Sequence, residues 1–274
     1  MNQNLEFNLS QALLSTVSIA LAAGDVLREG FSSLAIETQF KTSSIDPVTK
    51  YDLASEKIIV DSLRKLFPSH HIIGEEGGDY QPKIKKLAER NYTWHIDPLD
   101  GTVNFSHKLP MFCVSIGLLI DDVPSLGVIY NPVTDEMFAA ATDIGATLNG
   151  EPIHVSQISS VRDALLITGF SYDTHTNDSN INNFIAFQRK AQATRRIGSS
   201  ALNLCYTATG QLDGYWEMQV KSHDVAAGIV LVREAGGTVT DFDGKDDTFD
   251  SGLIVASNGL IHQEMLNIIK ITND

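Results

Sequence analysis

The densest chemistry in this chain lies in the run Trp94-His95-Ile96-Asp97-Pro98-Leu99-Asp100-Gly101-Thr102, and that run also limits the folds open to it. Its first three residues read as a strand. The strand cannot continue as an ordinary ladder beyond Asp97, because proline removes a backbone donor and bends the path. A tight turn there brings Asp97 and Asp100 to the same side. Two carboxylates held so close repel, and a hard cation with oxygen ligands relieves them. Gly101 lets the backbone approach a ligand closely, and the N–H groups of Gly101 and Thr102 open a helix, whose N-terminus attracts anions. Carboxylates for a cation beside a turn for an anion describe a site for a phosphate ester. The plainer alternative is an acidic turn that caps a helix.

That chemistry sits awkwardly with the charge of the chain. With 34 Asp and Glu against 20 Lys and Arg, the formal net charge is −14. Such a balance excludes holding nucleic acid by general attraction. It also repels an anionic substrate unless something positive stands between them. The two cysteines, Cys113 and Cys205, form neither a disulfide framework nor a CxxC zinc pair, which fits reduced thiols in the cytoplasm. The apolar stretch Ala12 to Gly24 has no Lys or Arg before it and falls short of the roughly 20 apolar residues that span a bilayer. It reads as a mostly buried amphipathic helix, with no membrane. The sequons at Asn91, Asn104 and Asn177 then carry no meaning.

The apolar spacing predicts a first helix from about Asn8 to Glu29 with its stripe through Leu13, Leu14, Val17, Leu21 and Val26–Leu27, stopped by Gly30. A polar loop from Lys41 to Thr49 precedes a second helix from about Asp52 to Phe67. Cys113 to Ile120 and Leu126 to Tyr130 flank Asp121-Asp122-Val123-Pro124 and read as a hairpin. Beyond it, strands at 165–169, 213–218, 237–241 and 253–256 mix with helices at 181–191, 199–209, 224–235 and 260–271. The irregular alternation favours α+β layers over a regular βαβ series.

Three further acidic elements are weak when taken singly. Gly74-Glu75-Glu76-Gly77-Gly78 alone is a solvated turn. Asp224, opening an apolar helix after His223, alone is an N-cap, and Asp52 is equally the N-cap of the second helix. In this order along one chain, however, the four elements resemble the inositol monophosphatases, within the lithium-sensitive, magnesium-dependent phosphatase superfamily. Gly74-Glu75-Glu76, Trp94 to Phe105 and Asp224-Val-Ala-Ala-Gly228 carry the resemblance, with weaker matches in Lys41–Asp52 and Gly198–Glu217.

The resemblance implies a layered αβαβα sandwich of the sugar-phosphatase type. It covers residues 1–274 as a single unit, with a metal-site half at 1–150 and a substrate half at 151–274. It implies an Mg²⁺-dependent phosphomonoesterase for myo-inositol 1-phosphate or a similar small polyol phosphate, sensitive to lithium and homodimeric. Glu75 and Asp97, with the carbonyl of Leu99, would hold one ion. Asp97, Asp100 and Asp224 would hold a second, and a third would sit near Glu75. Thr102 and Asp52 would orient and deprotonate a water, helped by Glu75, and the N–H groups of Gly101 and Thr102 would grip the phosphate. Asp100, Ser199, Ser200 and Glu217 would meet the alcohol, with Gly198 shaping their loop.

Arg195 and Arg196 read as a surface or interface pair in preference to a phosphate contact. His223 stands where relatives carry Trp, and Val103 where Thr is common. Asp241 to Asp247 has the composition of a calcium loop but the wrong glycine and no Glu at its twelfth position, so it reads as a turn. The alternatives are a phosphatase for histidinol phosphate, fructose 1,6-bisphosphate or 3′-phosphoadenosine 5′-phosphate, and a non-catalytic regulatory protein that keeps the fold.

Overall fold

The computed structural model of the chain describes residues 7–33, 36, 38–40, 47–84, 90–170, 179–246 and 248–269. Lys41 to Asp46 of the expected loop, Asn177 and Asp178 of one sequon, Asp247, and Lys270 and Ile271 of the expected last helix lie outside them. Helix α1 (Leu9–Ser32) starts at Asn8, whose side chain accepts the N–H of Gln11 at 2.9 Å. Its buried stripe is Ala12, Thr16, Ile19, Ala20, Ala23 and Leu27.

That stripe corrects the expected one. Leu14 is 70% and Leu21 42% exposed, and the small residues face inward instead, so the helix buries one narrow face and is not mostly buried. Gly30 is likewise no stop: it lies inside the helix, where a Cβ would come within 2.7 Å of the Tyr51 ring. Small residues win this face because they let a second helix lie close. Among the described helices, α1 is the one long and apolar enough to cross a membrane by length and composition.

A two-stranded ribbon, β1 (Thr38–Phe40) and β2 (Pro47–Thr49), leads into α2 (Lys50–Leu66). Then come β3 (His71–Gly74), β4 (Gly78–Tyr80), β5 (Tyr92–Asp100), α3 (Thr102–Ser106), β6 (Cys113–Ile120) and β7 (Val123–Asn131). The predicted hairpin is β6–β7, turning at Asp121 and Asp122 with φ of +52° and +66°. Strands β8 (Glu136–Ala141), β9 (Gly145–Leu148) and β10 (Glu151–Pro152) follow. The order β10-β9-β8-β7-β6-β5-β3-β4 makes one eight-stranded sheet, antiparallel except where β3 lies parallel to β5.

The remaining elements are β11 (Leu165–Thr168), α4 (Ser179–Gln188), β12 (Ala193–Arg195), α5 (Ser200–Ala208), β13 (Gly214–Met218) and α6 (Ser222–Glu234). Strand β14 (Thr238–Thr240), the short α7 (Thr248–Ser251), β15 (Leu253–Ser257) and α8 (His262–Ile268) end the order. Their strands form a five-stranded mixed sheet, β12-β11-β13-β15-β14. Asp241 to Asp246 is a turn, as expected, with the Asp241 carboxylate accepting the N–H groups of Asp243 and Lys245.

The layers run α, β, α, β, α. Helices α1 and α2 cover one face of the large sheet over a core that includes Leu27, Ile59, Trp94 and Tyr130. Helices α5 and α6 fill the space between the sheets, around Leu204, Val225 and Leu231. Helices α4 and α8 close the far side, where the tilted rings of Phe187 and Trp216 pack with centroids 4.2 Å apart. Helix α6 lies hard against the large sheet because the cross-strand pair Gly117 and Gly127 offers it no side chains. A Cβ on Gly127 would stand 2.1 Å from the carbonyl oxygen of Ala227.

Candidate active site

Strand β5 does not stop at Asp97, contrary to the expectation from Pro98; it breaks and resumes. Asp97 pairs with Ser115 and Asp100 with Cys113, so Pro98 and Leu99 together stand opposite Val114. This is a two-for-one bulge. Residues three apart on a regular strand face opposite sides, and the extra residue restores the phase, so Asp97 and Asp100 line one cleft. The bulge is pinned by the Leu99 N–H, which donates to Asp97 Oδ1 at 2.9 Å. Gly101, at φ +96°, then swings the chain into α3 in a conformation that L side chains resist.

The other acidic elements converge on this bulge from three directions. The parallel pairing of β3 with β5 sets Gly74 beside Ile96, and the next residue, Glu75, donates its N–H to the Ile96 carbonyl at 3.2 Å. Asp224 arrives on α6. It does not open the helix, as the sequence suggested, but is its third residue, and its Oδ2 accepts the Lys221 N–H at 2.7 Å. His223 is buried beside it, with Nε2 3.4 Å from Asp224 Oδ1. Asp52 is also a third helical residue and not the N-cap, which is Thr49; Asp52 accepts the Thr49 N–H at 2.8 Å. Its other oxygen accepts the Thr102 hydroxyl at 3.2 Å, so Asp52 stands behind Thr102.

Glu75, Asp97, Leu99, Asp100, Thr102 and Asp224 all line a cleft of about 770 Å³. Burial, followed by the charges of Glu75, Asp100 and Asp224, pushes the Asp97 carboxyl well above the usual carboxylate range. Burial likewise raises Asp100 to about 7, against the hydrogen bonds from Ser199 and the Ala201 N–H that favour its charge. Asp52 rises to about 6, again by burial, opposed by its bonds from Thr49. Among the described residues, no three acidic, histidine or cysteine side chains already close around one point. Asp100 is turned onto Ser199 Oγ at 2.6 Å and the Ala201 N–H at 2.7 Å. A buried set of all-oxygen donors that repel one another is the chemistry a hard divalent cation fits.

The residues expected to meet the alcohol lie in the same cleft. Gly198, Ser199, Ser200 and Glu217 line it together with Gly101. Glu217 Oε2 accepts the hydroxyls of Ser200 at 3.0 Å and Tyr215 at 2.5 Å, and burial raises its carboxyl to about 7. The two arginines part company: Arg196 lines the cleft, with its guanidinium 5.0 Å from the centroid of the Phe170 ring, whereas Arg195 lies in β12. Both arginines are exposed, as a surface pair would be, and Arg196 in addition borders the cleft.

Sequence reasoning passed over Asn203, Ser55 and Glu56. Asn203 sits on α5 one turn beyond Ser199 and Ser200 and lines the cleft; its amide is fully buried, with neither end bonded to another protein group. A lone amide inside Ala-Leu-Asn-Leu-Cys was the available signal. For Ser55 and Glu56 the signal was their spacing of three and four from Asp52, which puts all three on one helix face.

The model that describes the inositol monophosphatase family matches residues 8–272. The chain belongs to this family. The inositol-1-monophosphatase of Synechocystis is 45% identical over 86% of this chain and 81% of its own length. The solved inositol monophosphatase of Anabaena is 42% identical, with a TM-score of 0.84 over 96% of both chains. The protein named Nus factor SuhB in Pasteurella multocida is 38% identical over 93% of this chain and 94% of its own. Both the family and the layered fold implied by the resemblance hold.

Proposed function

We propose that this inositol monophosphatase family member is a phosphomonoesterase that hydrolyses myo-inositol 1-phosphate or a similar small polyol phosphate with Mg²⁺. The observation that carries the reading is the convergence of Glu75, Asp97, Asp100 and Asp224 on one cleft beside Thr102 and Asp52. Glu75, Asp97 and the Leu99 carbonyl would hold one ion, Asp97, Asp100 and Asp224 a second, and a third would sit at Glu75. Bound there, Mg²⁺ would polarise the phosphate as a Lewis acid and lower the pKa of a bound water.

The chain's own residues do the rest. Thr102 Oγ1 lies between the cleft and Asp52, so it can take a proton from water as its own passes to Asp52 Oδ1. With its carboxyl raised to about 6, Asp52 stays largely ionised at neutral pH while gaining basicity. Glu75 assists from across the bulge, and the N–H groups of Gly101 and Thr102 hold phosphate oxygens. Glu217, Asp100, Ser199 and Ser200 offer acceptors and donors to vicinal hydroxyls, with Gly198 shaping their approach. Asn203 gains the partner it otherwise lacks.

The same reading includes two or three Mg²⁺ per site, lithium sensitivity, a homodimer and a cytoplasmic place of work. A charge of −14 supports the absence of nucleic-acid and membrane partners. The complete carboxylate set favours an enzyme over a non-catalytic regulator, although relatives named Nus factor SuhB keep the second role in view. Arg196 and Lys221 line the cleft and could meet a second phosphate, so fructose 1,6-bisphosphate and 3′-phosphoadenosine 5′-phosphate join histidinol phosphate in the substrate panel.

Phosphate release from that panel, with Mg²⁺ or with chelator, tests the reading. Mg²⁺-dependent release is expected, strongest on the inositol ester, and Asp97→Asn should abolish it in a folded protein. Release without metal, or from an active Asp97→Asn variant, would sink the assignment.

A further inference from the structure

Helix α2 turns three polar side chains inward from a single face. Asp52, Ser55 and Glu56 are 0%, 0% and 2% exposed. Each reaches a different segment of the cleft. Asp52 accepts the Thr102 hydroxyl at 3.2 Å, and Ser55 Oγ donates to the Pro98 carbonyl, inside the β5 bulge, at 2.9 Å. Glu56 takes the loop that follows Glu75: its Oε2 accepts the Glu76 N–H at 2.9 Å, and its Oε1 accepts the Gly77 N–H at 2.6 Å and the Tyr80 hydroxyl at 2.7 Å.

A buried glutamate is rare unless its oxygens are satisfied, and here three neutral donors satisfy them. The loop is shaped to receive this carboxylate. A Cβ on Gly74 or on Gly77 would lie 2.7 Å from a Glu56 oxygen, so a side chain at either position would push it away.

From this we infer that Ser55 and Glu56 are positioning residues for the metal-binding carboxylates: α2 is a rigid template that holds the Glu75 loop and the Asp97–Asp100 bulge in fixed relation before any ion binds. The inference rests on the metal-site reading above. Its physical basis is preorganisation. When both are ionised and no cation lies between them, Asp97 and Glu75 repel, and a short loop free to move would withdraw Glu75. Three hydrogen bonds to a helix that is itself locked in the core by Ile59, Val60 and Leu63 oppose that withdrawal. The gathering of ligands is then completed by folding and not charged against metal affinity.

Mg²⁺ binding to the purified full chain, measured by titration calorimetry, tests this independently of turnover. Glu56→Gln replaces one of the two acceptor oxygens by an amide NH₂ that must face at least one of the three donors, and it should weaken Mg²⁺ binding about tenfold. Tyr80→Phe and Ser55→Ala, each losing one bond, should weaken it by about threefold, and they carry the test if Glu56→Gln does not fold. At saturating Mg²⁺ the kcat of these variants should return to within about twofold of the parent, as expected when geometry and not chemistry is lost. Met265→Ala, which loosens the far core around α8 and does not touch α2, should leave Mg²⁺ affinity unchanged.

Parent-like Mg²⁺ affinity in Glu56→Gln, Tyr80→Phe and Ser55→Ala would overturn the inference. Equal weakening by Met265→Ala would also overturn it, by reducing the effect to general stability. Asp97→Asn separates the two levels. If it abolishes Mg²⁺ binding while the positioning variants keep it, only the role of α2 falls. If it leaves binding intact, the metal-site reading falls and the inference with it.

Discussion

Asp97 is the residue on which the fold and the chemistry disagree most. It is 3% exposed, beside Glu75, Asp100 and Asp224, so ionising it in the metal-free protein is unfavourable. A carboxyl raised in the folded state opposes folding once the pH passes its unfolded value near 3.8, and stability falls as the pH rises from there towards the folded value. At pH 7.5 with chelator, Asp97→Asn should therefore melt higher than the parent, by about 2–4 °C for each kcal/mol gained. Adding Mg²⁺ should raise the Tm of the parent above that of the variant. A variant that melts lower in chelator would mean the buried charges are not in conflict. Asp97 and Asp100 were legible from the Asp-Pro-Leu-Asp-Gly-Thr run itself, whereas Glu75 and Asp224, each alone an ordinary turn or cap, were legible only from the order of the acidic elements along the chain. Asn203, Ser55 and Glu56 were not, since each alone passes for an ordinary polar residue on a helix.

At the scale of elements, the site depends on how closely α6 approaches the large sheet. Gly117 and Gly127 face one another on β6 and β7, directly beneath Ala226 and Ala227, two and three residues beyond Asp224. Gly127→Ala would place a methyl against helix backbone, an overpacking expected to cost about 1–3 kcal/mol. Urea denaturation should read that loss. Calorimetry should show weaker Mg²⁺ binding, because Asp224 recedes with its helix. Unchanged affinity in a destabilised Gly127→Ala protein would separate the packing from the site. The hairpin and α2 were legible because turn residues and apolar spacing act locally. The inward face of α1 was not: hydrophobicity favours Leu14 and Leu21, whereas close packing selects Ala and Gly, and only the neighbouring surface decides between them.

At the scale of the whole molecule, pH should act most cleanly through the aromatic cluster at the edge of the first core, remote from the cleft. His70 is 6% exposed, stacks on Tyr92 with ring centroids 4.5 Å apart, and accepts the Trp94 indole N–H at 3.1 Å. Burial lowers its pKa to about 4, so the folded protein keeps it neutral where the unfolded chain would protonate it. Its contribution is therefore constant above about pH 6.5 and is lost as the pH falls towards 4, reaching about 2 kcal/mol at pH 5. Denaturation at pH 7.5 and 5.0 should show a smaller drop for His70→Asn by roughly that amount; equal drops would refute the assignment.

The net charge of −14 also changes meaning at this scale. Part of it is gathered at Glu75, Asp97, Asp100 and Asp224, where bound cations would reverse the local sign and admit a phosphate. The sequence by itself determined the layered class, the hairpin and the acidic motif, because turn residues, apolar periodicity and the Asp-Pro-Leu-Asp-Gly-Thr run act over a few neighbours. Tertiary structure alone decided that the β5 bulge returns Asp100 to the side of Asp97, that Arg196 borders the cleft, and that one face of α2 bonds to Thr102, to the β5 bulge and to the loop after Glu75. Each depends on surfaces far apart in the chain, and no local pattern records which of them will meet.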